Sequence, residues 1–282
     1  MNPCYELHVG CAQWNHKSWQ PQLPPGERLE AYATWCNAVE GNTTFYAVPA
    51  RETVESWARQ TDPGFRLLAK LPKSITHLRH LQGPPEELRQ FLHTMEPLGP
   101  RLHALWIQLP AGFGPADLGT LAAFLRTLPT GHRYAVEVRH RAFFDDARAV
   151  AGLEKVLATR QAEWVPFDTT VLFERPPTSD AERDAWTRKP RMPRRDRALT
   201  SHPLIRYIGR DDADRTVEGW AFWIEKTVEW LKEGRSPTMF VHTPDNTQAL
   251  TLAHRFHQEV RAKLPDLEPL PDPPEVEPLT LF

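Results

Sequence analysis

Short apolar runs alternate with longer stretches whose apolar residues recur every three or four positions, and the alternation repeats eight times along the 282 residues. That rhythm is the pattern of parallel strands joined by crossover helices. The strand candidates are residues 7–11, 38–42, 65–70, 105–109, 134–139, 164–168, 204–209 and 239–242. Among the helical stretches, Leu88, Phe91, Leu92, Met95 and Leu98 form one stripe behind Pro84-Pro85-Glu86-Glu87, a start with fixed φ and negative charge at the positive dipole end. Leu118 to Leu128, Trp220 to Leu231 and Ala249 to Val260 repeat the period. Eight strand-then-helix units predict the α/β class and a single (β/α)8 TIM-type barrel over residues 5–264. A doubly wound open sheet would carry a Gly-rich phosphate turn after its first strand, and this chain has none there.

Two segments break the rhythm. Residues 174–203, after the sixth strand, are too long for an ordinary connection and carry Pro176, Pro177, Pro190, Pro193 and Pro203. Residues 265–282 hold six of the 28 prolines and five acidic residues with no basic one, and read as an extended, largely disordered tail. The whole chain has 34 Lys+Arg against 36 Asp+Glu. Without the tail the barrel keeps 34 basic against 31 acidic residues, so near-neutrality averages a slightly basic body with an acidic appendage. This excess is far too small for non-specific coating of nucleic acid, yet leaves room for an anionic ligand.

Cys4, Cys11 and Cys36 form no CxxC pair, which leaves neither a disulfide framework nor a four-thiolate zinc site. A reducing compartment, with no apolar leader and no run of 18 apolar residues, sets the expectation of a cytoplasmic protein without membrane contact.

In a (β/α)8 barrel the chemistry sits at the carboxyl ends of the strands. Here the ends supply Gln13 and Trp14 after strand one, Glu40, Asn42 and Tyr46 around strand two, Lys70 on strand three, and Glu137, Arg139 and His140 on strand five. Strand six ends at Asp168, strand seven contains Arg206, and strand eight delivers His242 followed by Asn246. Side chains two apart share a face, so Glu40 lies with Asn42 and Glu137 with Arg139.

The segments Val9 to Trp14, Val39 to Tyr46, Lys70 through His77, Gln108-Leu109-Pro110, Val136 to His140 and Phe240 to Asn246 resemble, in order, the YecE-like family, also called domain of unknown function 72. The resemblance implies a (β/α)8 barrel and supplies no reaction.

From the residues themselves, the leading expectation is hydrolytic or transfer chemistry on a phosphate-containing substrate, a small anion or a nucleic acid. Lys70, Arg139 and Arg206 would hold the anion. Glu137 and Asp168 would divide the acid and base roles, one kept ionised by Arg139 and the other raised by burial, with Glu40 as a third carboxylate. Gln13, Trp14, Asn42, Tyr46, His140, His242 and Asn246 complete the binding set, and Trp14, Phe45 and Tyr46 offer faces to a base or sugar. The basic run Arg188, Lys189, Arg191, Arg194, Arg195 and Arg197 would close over the pocket as a lid.

No cofactor is expected. An alternative is a divalent-metal hydrolase or isomerase using Glu40, Glu137, Asp168, His140 and His242. A second alternative is a non-catalytic adaptor. The end Pro278-Leu279-Thr280-Leu281-Phe282 is similar to the Gln-Leu-x-Leu-Phe peptides that engage bacterial sliding clamps, with Pro278 in place of the glutamine and Leu279, Leu281 and Phe282 as anchors.

Overall fold

The structure, a computed structural model, describes residues 6–19, 23 and 28–271. Nine strands alternate with helices: β1 (His8–Cys11), α1 (Arg28–Ala33), β2 (Ala38–Gly41), α2 (Thr43–Tyr46), α3 (Arg51–Arg59), β3 (Arg66–Lys70), α4 (Pro85–Met95), β4 (Leu102–Gln108), α5 (Leu118–Thr127), β5 (Tyr134–Glu137), α6 (Ala142–Asp145), α7 (Ala147–Ala158), β6 (Glu163–Trp164), β7 (Phe167–Asp168), α8 (Asp180–Arg188), β8 (Leu204–Ile208), α9 (Ala213–Lys232), β9 (Thr238–His242) and α10 (Ala249–Lys263). All strand pairs are parallel, in the order β6-β5-β4-β3-β2-β1-β9-β8-β7, a curled sheet inside a layer of helices.

The expected sixth strand is two short pieces. Pro166, which has no N–H to give a ladder, interrupts it. Residues before the break pair with β5, and Val165 N donates to Val136 O at 2.9 Å. Residues after it pair with β8, and Arg206 N donates to Pro166 O at 3.0 Å.

Strand parity sorts the core into two. Val39, Leu67, Ala69, Leu105, Ile107, Val136, Ile205, Tyr207, Met239 and Val241 face outward into the large cluster shared with the helices. The alternate residues Ala38, Leu68, Ala104, Trp106, Ala135, Val165, Leu204 and Phe240 form a separate inner cluster. Glu40, Lys70, Gln108, Glu137, Phe167, Arg206 and His242 come two residues after members of that inner row, so the same parity lifts a mostly polar row onto the strands' carboxyl ends.

The helix predictions hold at α4, α5, α9 and α10, whose apolar stripes are buried. After α9 the chain reverses at Gly234, whose φ of +78° suits glycine, and Arg235 N reaches back to Trp230 O at 2.9 Å. Residues 174–203 are not a bare loop, because Ser179 caps α8 by accepting from Glu182 N at 3.0 Å. The Arg210 guanidinium then clamps the buried Glu182 carboxylate, with Nη2–Oε2 at 2.6 Å and Nε–Oε1 at 3.1 Å, and donates to the carbonyls of Arg175 and Pro176.

The expectation of a disordered tail from residue 265 is corrected for 265–271. Leu267 and Leu270 are buried in the main core, and Arg261 Nε donates to Leu267 O at 3.0 Å. Two leucines find apolar partners despite the surrounding prolines and acids. Residues 272–282, with Leu279, Leu281 and Phe282, lie outside the described residues. Among the described residues no helix is long and apolar enough to cross a membrane.

Candidate functional site

Lys70, Gln108, Phe167, Arg206 and His242 of the inner row line a cavity of about 660 Å³ at the carboxyl ends of the strands, while Glu40 and Glu137 are fully buried and do not line it. Glu40 on β2 is its electrostatic hub. Lys70 Nζ lies 2.7 Å from Glu40 Oε1 and Arg206 Nη2 lies 3.0 Å from the same oxygen. Arg206 Nε donates to Glu40 Oε2 at 3.0 Å, and His242 Nε2 stands 2.8 Å from that oxygen. Beside this hub, Glu137 Oε1 accepts from Arg139 Nε at 2.7 Å and lies 2.6 Å from Arg139 Nη2, while Arg206 Nη1 stands 3.8 Å from Glu137 Oε2. Lys70 also donates to Gln108 Oε1 at 2.8 Å and sits 4.7 Å from the centre of the Trp106 ring.

Burial alone would raise both carboxyls. Arg206, Lys70 and His242 outweigh it at Glu40 and hold that group well below the usual carboxylate range. Arg139, Arg206 and Lys70 do the same at Glu137. Burial and the charge of Arg206 push His242 down to about 4 despite Glu40, so its ring is neutral at pH 7. An ionised Glu40 can only accept, so a neutral His242 meets it through a protonated Nε2, a nitrogen that Arg206 Nε also faces at 3.3 Å. Burial and Arg206 likewise bring Lys70 down to about 8.

Of the ten residues expected to bind substrate, Gln13, Trp14, Asn42, Tyr46, Lys70, Arg139, Arg206, His242 and Asn246 all line the cavity. His140 does not. Its ring packs against Gly114 and Phe143, and its Nδ1 accepts from Ala142 N at 3.2 Å. Of the three expected catalytic carboxylates, Glu40 and Glu137 converge and Asp168 is separate. Asp168 faces outward, where Oδ2 accepts from Trp223 Nε1 of α9 at 2.7 Å and from Arg194 Nε at 3.0 Å. The inward residue at this position is Phe167. Trp164, Val165 and Phe167 are all apolar, so hydropathy alone does not set which face of this strand looks inward.

The cations overrule burial at both Glu40 and Glu137, and Asp168, the other member of the expected acid–base pair, is bonded by Trp223 and Arg194 instead of meeting Glu137. The metal donor set of Glu40, Glu137, Asp168, His140 and His242 is not assembled: Asp168 and His140 point elsewhere, and three cationic groups contact the oxygens of Glu40 and Glu137. Among the described residues no group of three or more His, Cys, Asp or Glu side chains is placed to hold a metal ion.

The basic run divides. Arg194 serves Asp168, Arg195 and Arg197 both serve Glu154 at 2.9 Å, and Arg191 is sandwiched near Phe173 and Trp186. Only Arg188 and Lys189 reach the cavity, and Arg188 is paired with Asp184. Lys189 is half-buried with no ion-pair partner among the described residues, and burial and Arg206 bring it to about 8. Gln108 and Phe167 are among the lining residues that sequence reasoning did not select, and Lys189 entered it only through the basic run expected as a lid. Gln108 carried a usable signal, since it follows Trp106 by two on the strand beside Lys70. Lys189 carried none beyond membership of the basic run.

With the geometry in place, comparisons with known proteins give a consistent picture. A family model described as "Protein of unknown function DUF72" matches residues 8–275. The UPF0759 protein YecE of Escherichia coli O157:H7 is 38% identical over 270 residues, covering 95% of this chain and 98% of the relative, and YecE of strain K12 matches at the same level. Among solved structures, a DUF72 family protein from Thermotoga maritima MSB8 superposes with a TM-score of 0.69 at 21% identity, over 91% of this chain and 100% of the other. Another from Enterococcus faecalis V583 gives a TM-score of 0.69 at 17% identity, over 93% and 98%. These two likenesses speak to the fold.

Proposed function

The chain belongs to the DUF72 family, and for this member we propose that the cation-lined cavity binds a phosphate-bearing substrate and carries out hydrolysis or transfer at its phosphate. One observation carries this reading: Lys70, Arg139, Arg206 and Lys189 line the cavity above two buried carboxylates, Glu40 and Glu137, with Arg188 paired to Asp184 and His242 neutral. Two positive charges are left over in a half-desolvated space, and a phosphate dianion neutralises them. The guanidinium N–H groups not taken by Glu40 and Glu137, and a lysine with no ion-pair partner among the described residues, suit its tetrahedral oxygens. The volume fits a small molecule or one end of a longer one.

In this reading Glu137, fully buried beside the cavity-lining Arg139, is the proton acceptor for the attacking water or hydroxyl, which reaches it past Arg139. It is ionised, Arg139 fixes one of its oxygens, and Oε2 accepts no hydrogen bond among the described residues. The proton donor to the leaving group is Lys189, whose value of about 8 keeps it protonated at neutral pH and close enough to release a proton. Glu40 holds Lys70, Arg206 and His242 in place. The pairing of residues 163–168 with β5 by one half and β8 by the other supports counting them as a single sixth strand of a closed (β/α)8 barrel, which would ring the cavity on all sides.

Thermal shifts with a panel of phosphate monoesters and their dephosphorylated counterparts test the binding. Stabilisation is expected from the phosphorylated members only and is expected to vanish in Arg139→Ala. Equal shifts with the uncharged counterparts, or an unaltered response in Arg139→Ala, would overturn the reading. On any ester that is turned over, Glu137→Gln should keep binding and lower kcat by about 10²–10⁴-fold.

A further inference from the structure

Among the described residues three large apolar side chains stand out in solvent: Tyr46 at 70%, Leu78 at 72% and Val48 at 42% exposure. They are not scattered. Tyr46 and Val48 follow β2, Leu78 follows the neighbouring β3, and the two segments touch through the rings of Phe45 and His77, 5.0 Å apart. Phe45 and Tyr46 also line the cavity, so the patch is continuous with its mouth. Lys73 Nζ lies 5.8 Å from the centre of the Tyr46 ring, which places a cation beside the aromatic face. Trp14 adds a second aromatic to the cavity lining, held edge-on by Trp57 at 5.2 Å.

Leaving a tyrosine and a leucine exposed costs solubility and contributes nothing to the core, so isolated residues of this kind need no explanation while a group at a site entrance does. A purely apolar partner fits poorly beside Lys73, Arg188 and Lys189. A ligand with an anion at one end and a flat aromatic group at the other matches both halves, because aromatic side chains next to a cationic groove hold nucleobases by their π faces. We infer that the substrate is a nucleotide, or the end of a nucleic-acid strand, whose phosphate enters the cavity while its base stacks on Tyr46 at the rim. This inference rests on the phosphate reading above and adds the base.

Calorimetric titration of the full chain with inorganic phosphate, ribose 5-phosphate and adenosine 5′-monophosphate tests it. Adenosine 5′-monophosphate is expected to bind about tenfold more tightly than ribose 5-phosphate. In Tyr46→Ala the two should fall within about twofold of each other, and Tyr46→Trp should keep the preference; stacking energies of this order underlie both numbers. Equal affinities in the unmodified protein, with both ligands binding, would overturn the stacking inference and leave the phosphate reading intact. No binding of any of the three would overturn both.

Discussion

Glu40 shows how residue chemistry constrains this protein. Its buried carboxylate contacts Lys70, Arg206 and His242 from three different strands, and each of those groups is buried in turn. Removing it strips the buried Lys70 and Arg206 of their nearest counter-ion. Glu40→Ala should therefore lose about 3–5 kcal/mol by denaturant unfolding, whereas an exposed pair such as Arg215–Glu218 should contribute about 1 kcal/mol or less. The histidines set the acid limit. Burial holds His8 at about 3 and, with Arg206 at His242 and His254 at His257, the other two at about 4, against 6.5 for the free group. Between pH 6.5 and 4 the unfolded chain binds protons that the folded chain refuses, so stability falls as pH drops through that window. Glu40 and Glu137, with folded values below 4.5, add to the loss in the same direction as pH falls further. Calorimetric Tm should decline from pH 7 to pH 4, and His242→Gln should flatten the decline. Ligand binding should weaken in the opposite direction, from pH 7 to 9, as Lys70 and Lys189 lose their protons near 8.

At the scale of elements, α8 and the segment around it bring Lys189 to the cavity, and the Arg210–Glu182 clamp fixes that segment. Arg210→Met leaves Glu182 buried and unpaired; hydrogen exchange should speed up across residues 172–190, and phosphate affinity should fall with it. This dependence could not be read from sequence, because Glu182 and Arg210 are 28 positions apart and either looks like a surface charge. Elsewhere the periodic signal was sufficient. The alternation of Val136 and Val138 with Glu137 and Arg139 identified both faces of β5, and the stripe on α4 gave its start at Pro85. It failed at Asp168, where consecutive apolar residues around Pro166 left the inward face undetermined. It also failed at His140, which lies just beyond the end of β5, where the two-residue alternation no longer governs direction.

For the whole molecule, the strand order runs from β6 to β7, so residues 163–168 supply both edge strands of the sheet. Both edge pieces are tied to the sheet by backbone bonds, and the Val165 and Arg206 amides should exchange only through global unfolding. The core also extends past α10, and Leu267→Ala should cost about 2–5 kcal/mol. Charge balance gains a location at this scale: the small positive excess of residues 1–264 is matched by a local one at the cavity, where five cations line the wall, Arg188 is paired with Asp184, and Lys70, Arg139, Arg206 and Lys189 face two buried carboxylates, Glu40 and Glu137. That excess is the central claim, and one measurement addresses it most directly. Crystals soaked at pH 7 with tungstate, a phosphate-shaped dianion, should show an anomalous peak in the cavity with oxygens about 2.8 Å from the nitrogens of Arg139, Arg206 and Lys189. Tungstate bound only at surface arginines, with the cavity open to solvent, would contradict it.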